Sequence, residues 1–197
     1  MAVDMQFAYR TQKSVGATNV AHLGSAYSTL FDLTISSRCF TYSPCGRYFA
    51  WANTEGVTVV ETSNGNVITS LSMTHVFEVG FSPRGSYLIT WERSSKDENG
   101  DAVKNLKVWR TVEEVADGQE KQVVGKFVQK SQTGWNLQYT SDERYCARTV
   151  TNEVQFYESG NLSTVWNKLR VEGVTEFELS PGNNHSVAVF IPERKVS

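Results

Sequence analysis

The chain has 197 residues, 40% hydrophobic, 12% aromatic and 20% charged, and its 19 Lys and Arg against 21 Asp and Glu leave a net charge of −2. This composition excludes a disordered or fibrous chain, a membrane span of about 18 apolar residues, and a module that holds nucleic acid by bulk positive charge. Cys39, Cys45 and Cys146 form no C-x-x-C pair, as expected of free thiols in a reducing, cytoplasmic setting.

Residues 1–34 are rich in Ser, Thr and Gly and offer one strand candidate at 6–10; residues 1–10 have neither the basic start nor the long apolar run of a secretory signal, so none is expected there. From there on a turn repeats. Ser43-Pro44-Cys45-Gly46 returns as Ser82-Pro83-Arg84-Gly85, in degenerate form as Ser141-Asp142-Glu143-Arg144, and again as Ser180-Pro181-Gly182-Asn183. The serines are 39, 59 and 39 residues apart, and three of the four prolines lie in these turns. Ser at the first position, Pro at the second and Gly at the fourth suit a type I turn, whereas Gly182 at the third suits type II.

Each turn is preceded by a short apolar strand and followed by a run of β-formers, 48–51, 87–91, 145–150 and 187–191. Alternating strands follow at 57–61, 106–110 and 153–157, and a fourth set at 67–71, 125–129 and 164–169. Four short antiparallel strands per unit of about 40 residues describe a β-propeller blade. The expectation is an all-β, WD40-like propeller, with blades near 35–72, 73–131, 132–170 and an incomplete 171–197, about four blades of a larger ring. A β-sandwich with coincidental turns is the alternative, which the equal spacing disfavours. The 20 extra residues in the long interval fall in two polar stretches, 93–105 and 112–122, the second with room for one helical turn. An open arc would expose an apolar blade face.

Catalytic patterns are missing. His22, His75 and His185 have no partner at metal-ligand spacing, no G-x-S-x-G elbow occurs, and the nearest phosphate-loop match, 118–126, has the wrong spacing and Phe127 in place of Ser or Thr. The expectation is a non-enzymatic chain without cofactor or metal. Arg47, Arg84, Arg144 and Arg148 lie in or just after the inner turns. On one rim they would form a positive ring able to hold phosphate oxygens; otherwise they are solvated turn residues.

Several strings carry a family resemblance. Phe81-Ser82-Pro83 followed by Thr90-Trp91 and Asn105-Leu106, then Phe127-Val128-Gln129-Lys130 leading to Trp135, resemble the eukaryotic translation initiation factor 2A family. Cys146-Ala147-Arg148, Asn152-Glu153-Val154 with Phe156, Asn167-Lys168-Leu169, Leu179-Ser180-Pro181-Gly182 and Val187-Ala188-Val189 continue the likeness in order. The resemblance implies the front of a propeller of about nine blades. It also implies a cytoplasmic, monomeric, non-membrane initiation factor that binds the small (40S) ribosomal subunit, both rRNA and ribosomal proteins. In the family this factor supports GTP-independent recruitment of initiator methionyl-tRNA, and contacts to that tRNA and to mRNA are expected from regions outside this chain. A general WD-repeat scaffold that binds only proteins is the competing reading.

Overall fold

Runs of β-branched and aromatic residues interrupted by Gly-, Pro- and Asn-bearing turns have little choice but to pair with their neighbours in sequence. In a computed structural model, which describes residues 5–20, 28–33, 37–112, 121–129, 137–182 and 184–193, every such run is a strand of an antiparallel meander. The first sheet holds β1 (Met5–Arg10), β2 (Val15–Val20) and β3 (Ser28–Leu33). The second holds β4 (Cys39–Tyr42), β5 (Tyr48–Ala52), β6 (Val57–Glu61) and β7 (Val67–Leu71). The third holds β8 (Val76–Phe81), β9 (Tyr87–Glu92), β10 (Leu106–Arg110) and β11 (Val123–Phe127). The fourth holds β12 (Gln138–Tyr139), β13 (Tyr145–Val150), β14 (Glu153–Glu158) and β15 (Asn167–Arg170). β16 (Glu176–Leu179) and β17 (Val187–Phe190) form a two-stranded fifth.

These sheets are blades of a β-propeller arc. The first strand of a blade lies against the first strand of the next, β4 beside β8 and β12 beside β16, so first strands are innermost. Apolar residues are buried between consecutive sheets rather than in one central core. Tyr48, Val59, Val79, Leu88 and Trp109 fill the space between the second and third sheets. Ile89, Leu106, Phe127, Tyr139, Cys146 and Leu162 fill the next.

Residues 1–34 depart from the expectation of one strand. Three are present, and β2 and β3 were hidden by Gly16, Asn19, Ser28 and Asp32, none of them a good β-former. Packing overrides that propensity: Val15 and Ala17 are buried, and Val15 lies with Phe49, Trp51 and Val60 of the second sheet. The polar stretch 93–105 is a long hairpin arm, pinned at its base by the buried Asn105. Its Nδ2 donates to the carbonyls of Glu92 (2.7 Å) and Gln129 (2.8 Å), and its Oδ1 accepts from the Gln129 N–H (2.8 Å). The helical turn considered for 112–122 falls largely on 113–120, outside the described residues.

Candidate interaction rim

The repeated turn connects the first and second strands of each blade and therefore lines one rim of the arc. Its hydrogen bonds recur. The first residue's hydroxyl accepts from a tyrosine N–H five residues on: Ser43 from Tyr48 (3.0 Å), Ser82 from Tyr87 (3.0 Å) and Thr140 from Tyr145 (3.1 Å). The fourth residue's N–H donates to the first residue's carbonyl, Gly46 to Ser43 (2.8 Å), Gly85 to Ser82 (2.9 Å) and Glu143 to Thr140 (2.8 Å). The degenerate copy thus starts at Thr140, one residue before the Ser141 chosen from sequence. Threonine offers the same γ-oxygen, and Glu143 takes the left-handed conformation (φ 59°) that glycine supplies in the other copies (φ 74° and 77°). In the last copy Gly182 does not have positive φ, so the expected type II turn is not formed. That loop is one residue longer and closes between Ser180 and Ser186 instead.

Successive turns are tied to one another. The Cys45 thiol donates to the Arg84 carbonyl (3.0 Å), and the Arg84 N–H donates to the Glu143 carboxylate (2.6 Å) while its Nε donates to the Ser141 carbonyl (3.0 Å). Asp142 meets the His185 ring nitrogen at 3.2 Å. The Asp142 carboxyl accepts from the Thr140 hydroxyl (2.6 Å) and the Arg144 N–H (3.0 Å), and these bonds pull its pKa from 3.8 down to about 2. Because the folded value is depressed, the stabilisation is present above about pH 4 and disappears as the pH falls towards 2. Asp142→Asn is expected to lower the melting temperature at pH 7, with the gap to the parent closing over that acidic range; a gap independent of pH would remove the carboxylate from the account.

Arg47, Arg84 and Arg144 all lie exposed on this rim. Arg47 and Arg144 cover the rings of Tyr48 and Tyr145, each at 5.2 Å. Arg110, not singled out from sequence, reaches the same rim from the end of β10 and covers Tyr87 at 5.9 Å. The missed signal was the register: Arg110 stands opposite Tyr87 across β10 and β9. A tyrosine opening the second strand of each four-stranded blade therefore carries one guanidinium.

Arg148 does not join them. It lies well down β13, stacked on Phe127 at 4.4 Å with Nη2 donating to the Val128 carbonyl at 3.3 Å, and burial lowers its pKa. It faces an open groove of about 550 Å³ between the third and fourth sheets, whose lining includes Lys104, Lys126 and Tyr157. Cys146 is buried, which pushes its thiol up to about 12, so no thiolate nucleophile forms there. His22, Trp135 and Asn183 lie outside the described residues.

No family model matches the chain. It is 47% identical over 196 residues to eukaryotic translation initiation factor 2A of Schizosaccharomyces pombe, covering 99% of this chain and 33% of that protein. The chain therefore spans about a third of the length of that curated relative. A crystal structure of a eukaryotic initiation factor superposes with a TM-score of 0.86 at 46% identity, over 98% of this chain and 48% of that one. The C-terminal WD40 domain of Sif2 gives a TM-score of 0.57 at 15% identity over 89% of this chain and 49% of the other, a likeness of fold alone.

Proposed function

Starting from a chain that matches the N-terminal propeller part of eukaryotic translation initiation factor 2A, we propose that it is a non-catalytic platform of a cytoplasmic initiation factor, docking on the small ribosomal subunit. The observation that carries this reading is the 47% identity sustained over nearly the whole chain. The turn rim is the proposed contact. Arg47, Arg110 and Arg144 rest on tyrosine rings, which orient each planar guanidinium while leaving N–H edges for phosphate oxygens. Arg84 is committed in part to Ser141 and serves as the spacer between turns. Contacts to initiator methionyl-tRNA and mRNA are assigned to portions of the relatives beyond the matched third.

Co-sedimentation with purified small subunits from low to physiological salt tests this. Binding should weaken steeply with salt, because each phosphate contact releases condensed counterions. The R47A/R110A/R144A variant, with an unchanged melting temperature, should bind more weakly and with a shallower salt dependence. A folded chain that stays in the supernatant at every salt concentration would overturn the reading. The second reading, a scaffold for proteins only, is favoured by the carboxylates Asp142 and Glu143 standing among the arginines. It predicts a protein partner held with little response to salt.

A further inference from the structure

The opposite face of the arc carries a second arginine cluster, built by three consecutive sheets. Arg10 ends β1, Arg38 directly precedes β4, and Arg93 directly follows β9. Arg10 Nη1 donates to the carbonyls of Ser37 (3.3 Å) and Arg38 (2.8 Å), which anchors the backbone that presents Arg38. Arg38 Nη1 donates to the Thr74 carbonyl at 2.7 Å, just ahead of β8. Both the Arg38 and the Arg93 guanidinium then lie over the Phe77 ring, at 5.1 and 4.2 Å from its centre.

Phe77 is there because β8 is bulged. Val76 pairs with Glu92 and Glu78 with Trp91, leaving Phe77 as the extra residue without a partner across the ladder. A bulge re-aims the side chain it carries. Here it sets a half-buried ring, packed on the apolar residues below, as a seat for two cations.

No ion pair among the described residues neutralises the cluster, although the Glu78 carboxylate, next to Phe77, stands close enough to help raise the pKa of Cys39 beside Arg38. Among the described residues the ion pairs are Lys107–Glu92, Lys168–Glu153 and His185–Asp142, and none involves Arg10, Arg38 or Arg93. Glu92, adjacent to Arg93, is engaged by Lys107 at 2.6 Å. Three guanidiniums are thus gathered by main-chain carbonyls and an aromatic face, with the edges of two of them left for an anion. A guanidinium stacked on a ring is pre-oriented for bidentate bonding to phosphate, and its plane can also receive an unstacked base.

We propose that Arg10, Arg38 and Arg93 around Phe77 form a clamp for the phosphodiester backbone of an RNA strand, on the face opposite the turn rim. The choice of RNA over an acidic peptide rests on the reading of this chain as part of an initiation factor. Arg10 positions the clamp; Arg38 and Arg93 make the contacts.

The test is binding of a fluorescein-labelled oligouridylate to the whole chain over a salt series. Compared are the parent, R38A/R93A, R38K/R93K, and K168A/R170A, which removes the same charge from β15. R38A/R93A should bind more weakly, its slope of log affinity against log salt shallower by about 1.4, since a single-stranded phosphate contact contributes about 0.7. R38K/R93K should recover the slope but not the full affinity, because lysine keeps the charge and loses the stacked fork. Equal affinity and slope in parent and R38A/R93A would overturn the clamp. So would binding of a polyglutamate peptide, rather than the oligonucleotide, that depends on Arg38 and Arg93. Running the same proteins against small ribosomal subunits keeps the two readings apart. Arginine-dependent oligonucleotide binding by a chain that fails to sediment with subunits upholds the clamp and removes the docking reading.

Discussion

Phe49→Ala is expected to destabilise the chain by about 3–5 kcal/mol, the range for removing a fully buried aromatic ring that its surroundings cannot refill. Phe49 is fully buried in β5, its ring centre 5.0 Å from Tyr42, 5.9 Å from Phe40 and 6.0 Å from Trp51. It shares its cluster with Val15, the residue through which β2 meets the second sheet. The loss should therefore be felt between blades as well as within one. Urea unfolding followed by tryptophan fluorescence would give the free-energy change, and limited proteolysis should find 1–33 cut earlier in the variant. Phe40→Ala, at the exposed edge of the same ring cluster, should cost far less. A loss below about 1 kcal/mol for Phe49→Ala would mean that the first sheet is not held through this ring.

The second large effect is expected at Gly125 in β11. A Cβ there would stand 2.4 Å from the Leu162 Cβ and 3.0 Å from its Cδ1, where no real pair of carbons sits. Leu162 is buried and cannot swing away, because its N–H donates to the Val124 carbonyl at 3.3 Å and so fixes the loop after β14 against the edge of β11. Gly125→Val should cost about 1–3 kcal/mol or more through overpacking, and Leu162→Ala about 2–5 kcal/mol through the cavity it leaves. In the double variant the Leu162 Cγ and Cδ1 are gone and the valine occupies part of their space, while the 2.4 Å clash with the Cβ that alanine keeps persists, so the combined loss should fall short of the sum only in part. Denaturant melts of the four proteins measure this directly. Strict additivity would show that the two side chains do not share one space.

Both positions show what is hidden in a linear reading. Gly125 is legible as a glycine in a strand candidate, but nothing nearby says that Leu162, 37 residues on, fills its place. The blade repeat was legible because its turns need particular chemistry at particular positions. Ser43 and Ser82 supply a hydroxyl acceptor, Pro44 and Pro83 a preset dihedral, and Gly46 and Gly85 a positive φ. Where that chemistry was met by other residues, the reading slipped. Thr140 replaces serine through the same γ-oxygen, and Glu143 takes the glycine conformation, held by the Arg84 N–H of the preceding turn. That bond spans 59 residues, so no local pattern could announce it.

The arginines divide along the same line. Arg47, Arg84 and Arg144 reach one rim because a turn is a local structure and its position in the blade follows from the repeat. Arg148 is excluded by strand length alone: four residues beyond Arg144, it has run most of the way down β13 and turned onto Phe127. Arg110, Arg10, Arg38 and Arg93 lie far apart in the chain and come into use only through register and blade order. The sequence by itself determined the strand-and-turn repeat, the all-β class and the family likeness, since these depend on propensities and turn geometry spread over a few residues. Tertiary structure alone decided which face each cation occupies, that residues 5–33 hold three strands, and that Phe77 bulges out to seat two guanidiniums. Those outcomes depend on pairing partners and packed neighbours that the chain brings together only when the blades stack.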